Sequence, residues 1–292
     1  MAAPLFADIS SWQPASIDWH AYVKWAASFN GKAYVSLRSS QGTDVLDKHY
    51  KEYRDGFLKA GGYCIVHYHY AYPQLSGAVD EANYQRSIIG DLKARPQDIV
   101  MLDLEEQVPQ ANAEWAYQWG LRAMVLYSRT PNLYASDSYV RARLQDSRLA
   151  NLFSLTDAKW DFTPNERPPC PPPWKEYLAV QYTDRATVPG IGGRVDADIF
   201  LGREATPAIP TQPAEFTTED INIWQMEDKL IPYNTGIARA WLAARKNGKE
   251  MGPPLGREYG DRIDAHQRFS GASITWEHTT HTYEWRDSRG KI

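Results

Sequence analysis

Ile99-Val-Met-Leu-Asp103-Leu104-Glu105 runs from four consecutive apolar residues straight into two carboxylates. A short unbroken apolar run marks a strand covered on both faces, the habit of parallel sheets. Residues two apart on a strand share a face, so Asp103 and Glu105 project together from the strand's C-terminal end. In a β/α barrel that end carries the catalytic groups.

Similar runs recur on both sides of this stretch. Leu5 to Ile9, Ala33 to Leu37, Tyr63 to Tyr70, Ala123 to Tyr127, Leu152 to Leu155, Tyr177 to Tyr182 and Val195 to Phe200 all read as buried strands. Between the early ones lie segments with helical spacing. Trp19, Tyr22, Val23 and Ala26 form one apolar face, and Tyr50, Tyr53, Phe57 and Leu58 another. Val79, Ala82, Ile88, Ile89 and Leu92 form a third, and Tyr139, Val140 and Leu144 a fourth, with Ser136 or Asp137 as its cap.

Eight strands with interleaved helices predict an α/β fold, a TIM-like (β/α) barrel. Its second half is expected to be degenerate. Pro168 to Trp174 is too proline-rich for a helix, and only a short loop joins Tyr182 to Val195. The pattern stops near Gly202, and Thr206 to Pro213 holds three prolines. The expected division is therefore a catalytic barrel over 1–203, a linker over 204–213 and a small module over 214–292. In that module Ile237 to Arg245 has amphipathic helical spacing, and β segments are expected around Ile274 and Tyr283.

Composition narrows the function. A net charge of −4 argues against nucleic acid as partner, because phosphate binding needs a concentrated basic surface. No apolar stretch is long enough for membrane insertion, and no signal peptide is visible at the start. Two cysteines, Cys64 and Cys170, are too few for a disulfide scaffold, and Cys64 reads as a buried thiol. Eleven tryptophans and eighteen tyrosines shift the balance toward carbohydrate, since flat rings offer apolar faces to sugars.

Further carboxylates stand where a barrel would bring them to Asp103 and Glu105. Asp8 ends the first strand, and Asp196 lies in the last, with Asp198 as its alternative. First and last strands are neighbours in a closed barrel. Crowded carboxylates resist ionising together, which leaves one protonated near neutral pH. Glycoside hydrolysis needs that split between an acid and an ionised partner. His67 and His69 share one strand face, but no third ligand accompanies them, so hydrogen-bonded histidines are favoured over metal. Gly190-Ile-Gly-Gly193 reads as a tight turn rather than a dinucleotide loop.

Several of these segments, taken in order, resemble glycoside hydrolase family 25, the lysozymes of bacteria, fungi and phages. They are Ala7-Asp8-Ile-Ser-Ser-Trp12-Gln13 with Ile17-Asp18-Trp19, then Ser39-Ser-Gln41-Gly42-Thr43 with Asp47. Val66-His-Tyr68-His69-Tyr70-Ala71, Leu102-Asp103-Leu-Glu105 and Leu126-Tyr127-Ser128 follow. Gln181-Tyr182 and Val188-Pro-Gly-Ile-Gly-Gly193 through Val195-Asp196 complete the series. The resemblance implies cleavage of the β-1,4 bond between N-acetylmuramic acid and N-acetylglucosamine in bacterial peptidoglycan, with no metal or organic cofactor. It implies Glu105 as general acid, with Asp103, Asp8 and Asp196 completing an acidic cleft. Tyr68, Tyr70, Tyr127 and Gln181 are the implied sugar contacts. The chain departs from the family at Gln41, where an acid is frequent, and at Val180, where a tryptophan is frequent. The stretch Asp157 to Trp174 also departs, so subsite preference is affected more than chemistry.

In the tail, Gly252-Pro-Pro, Glu258-Tyr259-Gly260, Gln267-Arg-Phe269-Ser-Gly271 and Ile274-Thr-Trp276 resemble one LGFP-type repeat, a module of cell envelopes. Together these imply an enzyme acting on the bacterial cell wall, phage-encoded or exported by another route. Two other readings stay open at this level. One is a non-catalytic envelope-binding or virion protein that kept the barrel, and the other is a hydrolase of another N-acetylated glycan.

Overall fold

The computed structural model of the protein describes residues 3–160 and 169–202, and in the tail the strand residues 259–260, 264–268, 272–277 and 282–287. The chain divides into two compact units, residues 1–210 and 211–292. The linker expected at 204–213 and the helix expected at Ile237 to Arg245 lie outside the described residues.

In the first unit the order is β1 (Leu5–Ile9), α1 (Trp19–Ala27), β2 (Tyr34–Gln41), β3 (Val45–Leu46), α2 (Tyr50–Lys59), β4 (Cys64–Tyr70), α3 (Ala78–Ile89) and β5 (Ile99–Asp103). Then come α4 (Ala113–Tyr127), β6 (Asn132–Ser136), α5 (Asp137–Arg143), α6 (Ser147–Leu152), β7 (Ser154–Ala158), β8 (Ala179–Ala186) and β9 (Val195–Phe200). The sheet runs β1-β9-β8-β7-β6-β5-β4-β2, and a β1–β2 pairing closes it into an eight-stranded barrel. The two-residue β3 hangs on β2 as a ribbon.

From β1 through β2 and β4 to β8 the neighbours are parallel, as the apolar runs predict. β9 instead runs antiparallel to both β8 and β1. The cause is the short β8–β9 link, which cannot hold a crossover helix and so must turn back. Gly190 (φ +86°) and Gly193 (φ +85°) supply left-handed positions in that link, and the Gly190 carbonyl accepts from Asp18 N at 2.9 Å. The tight-turn reading of these glycines holds.

Several of these helices start on side chains that accept the first free backbone N–H groups. Asp18 caps α1 at 3.0 Å, Asn112 caps α4 at 3.1 Å and Ser136 caps α5 at 3.3 Å. Ser136 is also the last residue of β6, so strand and helix share one residue without a loop.

One strand expectation is overturned. Ala123 to Tyr127 is the last part of α4, and the strand at this point of the sheet is Asn132–Ser136. Trp119, Ala123 and Tyr127 are buried four residues apart, while Met124, Val125 and Leu126 are half-buried, so the run is apolar around a helix. A short apolar run carries no period of its own to tell these cases apart. The strand expected from Leu152 to Leu155 begins later, at Ser154, because α6 ends at Leu152.

In the second unit β10 (Tyr259–Gly260), β11 (Asp264–Arg268), β12 (Ala272–Glu277) and β13 (Thr282–Asp287) form an antiparallel meander. It includes the β segments expected around Ile274 and Tyr283. Among the described residues no helix is long and apolar enough to cross a membrane.

Candidate active site

The C-terminal ends of the parallel strands form one mouth. Asp103 is the last residue of β5, flanked in register by Tyr70 of β4 and Tyr134 of β6. Glu105 follows two residues on and is exposed. Across the barrel Asp8 of β1 pairs in register with Asp196 of β9. Only the reversed direction of β9 makes this possible, because it turns the strand's first residues, not its last, toward the mouth. Directly opposed residues share a face, so Asp8 and Asp196 stand side by side.

These carboxyls lie close enough to act on one another's charge. Burial, then Asp196, push the pKa of Asp8 up to about 8, against the nearby hydroxyls of Ser36 and Tyr68. Asp103 is held well above the usual carboxylate range by burial, then by Glu105 and Asp8. Glu105 is open to solvent at its tip, yet the walls of the mouth still strip enough water to raise it, with help from Asp196 and Glu106. Burial and then Asp184 raise Asp196 to about 6. Arg38 is a cation that eases Asp103, but its Nε already donates to Asp47 at 2.9 Å and a further N–H to Ser11 Oγ at 2.9 Å. Oδ1 of Asp103 is buried without a hydrogen-bond partner. An unpaired buried carboxyl favours its neutral form. The mouth therefore offers protonated and ionised carboxyls together near neutral pH.

Aromatic and amide groups line it. Tyr68 lies close enough for Asp8 and Asp103 to raise its hydroxyl further, after burial. Tyr70 donates to Glu106 Oε1 at 2.9 Å. Gln181 Oε1 accepts from Tyr134 at 3.0 Å and from Trp160 Nε1 at 3.0 Å. Tyr127 stands elsewhere: it ends α4, at the far end of the barrel, under the Arg86 guanidinium at 5.6 Å.

Tyr134, Trp160 and Glu106 are neighbours of the site that sequence reasoning missed. Tyr134 was hidden by the misplaced strand, although Asn132-Leu-Tyr134-Ala-Ser136 has a strand's alternation. Trp160 gave a weaker signal, an aromatic just beyond a strand end.

His67 and His69 are each held at both ring nitrogens by protein groups. His67 meets the Tyr50 hydroxyl at 2.8 Å and Asp98 at 3.2 Å, and His69 meets Ser40 Oγ at 2.9 Å and Glu81 at 2.8 Å. Among the described residues no group of three or more His, Cys, Asp or Glu could hold a metal. Cys64 is a buried thiol that donates to Gln97 O, and neither it nor Cys170 is in a disulfide.

The model of the glycosyl hydrolases family 25 matches residues 7–191. Among solved structures the chain is similar to the bacterial lysozyme from Streptomyces coelicolor, at 22% identity and a TM-score of 0.62, covering 72% of this chain and 98% of that one. It is similar to a muramidase from Acremonium alcalophilum, at 23% identity and TM-score 0.57, covering 68% and 94%. The catalytic domain of endolysin ply40 from bacteriophage P40 of Listeria monocytogenes gives 23% identity and TM-score 0.54, covering 68% and 94%. No curated protein sequence matches significantly.

Proposed function

Because the chain belongs to glycosyl hydrolase family 25, and is thereby a glycoside hydrolase, we propose that it cuts bacterial peptidoglycan at the β-1,4 bond between N-acetylmuramic acid and N-acetylglucosamine. The observation that carries this reading is the meeting of Asp8 and Asp196 across β1 and β9 in the mouth that also holds Asp103 and Glu105. Lysozyme, muramidase and endolysin structures share this fold, which supports the choice of substrate.

Glu105 is the general acid. It is the most open of the four carboxyls, and its raised pKa keeps a proton for the leaving sugar oxygen. Asp103 faces the reacting sugar and stabilises positive charge or orients the acetamido group as the bond breaks. Asp8 and Asp196 frame the opposite wall. Tyr68, Tyr70 and Gln181 contact sugars, with Tyr134 taking the place that sequence assigned to Tyr127. The scheme uses no metal or organic cofactor. Mass spectrometry of products from defined peptidoglycan tests it. Muramic acid at the new reducing ends is expected, and glucosamine there would overturn the bond assignment.

The tail, residues 214–292, is assigned to holding the enzyme at the cell envelope. Tethering raises effective concentration on a surface but not in solution. Ending the chain near Gly202 should therefore weaken clearing of intact walls far more than cleavage of soluble glycan. Equal losses on both substrates would defeat that role.

A further inference from the structure

Among the described residues five large apolar side chains are exposed: Trp12, Val45, Leu46, Leu75 and Trp160. Single exposed apolar residues are ordinary on a protein surface. These five share one place. Trp12 follows β1, Val45 and Leu46 form β3 beyond β2, Leu75 follows β4 and Trp160 follows β7, so each stands at the mouth end of a parallel strand. An apolar set gathered on one face around charged groups marks a surface that meets a ligand.

Their order around the barrel gives the set a direction. β4, β2 and β1 are consecutive neighbours in the closed sheet, and β7 lies four strands from β2, across the mouth. β5, which leads into Asp103 and Glu105, lies four strands from β9, which carries Asp196. The two lines cross, a quarter of the way round from each other. Eight strands at their usual spacing and tilt make the mouth roughly 15 Å wide. The acidic walls thus face each other across the middle of a track with apolar ends.

Trp160 is the fixed end. Its ring is 58% exposed, yet its Nε1 donates to Gln181 Oε1 at 3.0 Å, and the preceding Lys159 N donates to the Gln181 carbonyl at 2.9 Å. Gln181 Oε1 also accepts from Tyr134, which is in register with Asp103. An indole pinned by its polar edge leaves its apolar faces for something else. An apolar protein or lipid laid over this track would strip water from Asp8, Asp103 and Asp196 without offering them donors, which is costly. A glycan strand offers both, hydroxyl and amide N–H groups for the carboxyls and flat C–H faces for the rings.

We propose that the glycan strand crosses the mouth from β7 to β2, with one sugar ring seated on Trp160 and a more distant one on the rim of Trp12, Val45, Leu46 and Leu75. Trp160 is thereby a specificity-determining residue that selects long strands over the few sugars flanking the cut bond. The track rests on the mouth being the peptidoglycan site proposed above.

The test uses the full-length protein with soluble peptidoglycan glycans, a tetrasaccharide and an octasaccharide. Trp160→Ala should raise KM for the octasaccharide roughly 5- to 30-fold, the range for uncovering part of an apolar ring. Its kcat should change little, and the tetrasaccharide should be affected far less. Trp160→Phe keeps a ring and should restore most of the affinity, although it loses the bond to Gln181. At the other end Leu46→Ser should raise KM for the octasaccharide alone, by roughly 2- to 5-fold. Equal losses on both glycans, or a fall in kcat, would mean that Trp160 only props Gln181, and would overturn the track. Unchanged kinetics on both would overturn it as well, even if clearing of intact walls suffered, since the rim would then meet another wall component. An inactive wild type would sink the proposed reaction instead. Octasaccharide binding by calorimetry, weakened in Trp160→Ala, would still uphold the track, and its absence would overturn that too.

Discussion

Two regions of the barrel bury carboxylates, and they treat them in opposite ways. On the outer side, Asp98 accepts from Arg95 at 2.7 and 2.9 Å, from Ile65 N at 3.0 Å, and meets His67 at 3.2 Å. Glu81 of α3 meets His69 at 2.8 Å and accepts from Tyr72 N at 3.0 Å and from Ser76 Oγ. Burial works against the charge of Asp98, but these donors outweigh it and pull its pKa below the ordinary value. At the mouth, Asp8 and Asp103 are also buried but face other carboxyls, and their pKa values rise. Paired carboxylates hold the strands to their helices. Crowded ones store proton-donating capacity, which a structure built for stability alone would avoid.

The largest expected effect lies at the mouth. Glu105→Gln should cut peptidoglycan hydrolysis on the order of 100- to 10,000-fold, because an amide cannot deliver the leaving-group proton. Its thermal unfolding should match wild type, since the side chain is exposed. A folded variant with near-normal activity would remove Glu105 from its role.

Stability sharpens the same contrast. Asp98→Asn should destabilise by about 2–4 kcal/mol in denaturant unfolding, since it removes the charged partner of buried His67 and of half-buried Arg95. Asp103→Asn should leave stability unchanged or raise it by about 0.5–2 kcal/mol, as residues tuned for reaction often do. The pH dependence has opposite signs in the two regions. Asp98, with a lowered folded pKa, contributes stability above its unfolded value of 3.8 that is lost as pH falls through the folded pKa. Asp8 binds its proton more tightly when folded, so its contribution is full below 3.8 and is lost as pH rises toward about 8. Asp8→Asn should flatten that decline. Equal slopes with and without Asp8 would contradict it.

The sequence made parts of this legible and hid others for physical reasons. The runs Leu5–Ile9 and Val195–Phe200 match β1 and β9 to the residue, the first ending just before a turn and the second starting soon after one. The closing neighbours followed from barrel topology, but the reversed direction of β9 did not, and it is what brings Asp196 to the mouth. Glu81 and Gln85 were invisible as interior residues: apolar spacing along α3 pointed to Val79 and Ile88, which are only half-buried. A polar side chain facing inward is recognisable only through its partners, here His69 and the His67 carbonyl, which lie far off in sequence. Tyr134 was missed for a local reason, since α4 ends in a run as apolar as any strand.

The central claim is that the mouth carboxyls, unlike the paired Asp98, titrate above the ordinary carboxylate range. Residue-resolved titration of the side-chain carboxyls by carbon-13 NMR measures this directly. Asp8 should titrate near 8 and Asp103 above the ordinary range, with Asp98 below 3.8. Mouth carboxyls that titrate together with Asp98, at or below ordinary values, would contradict the account.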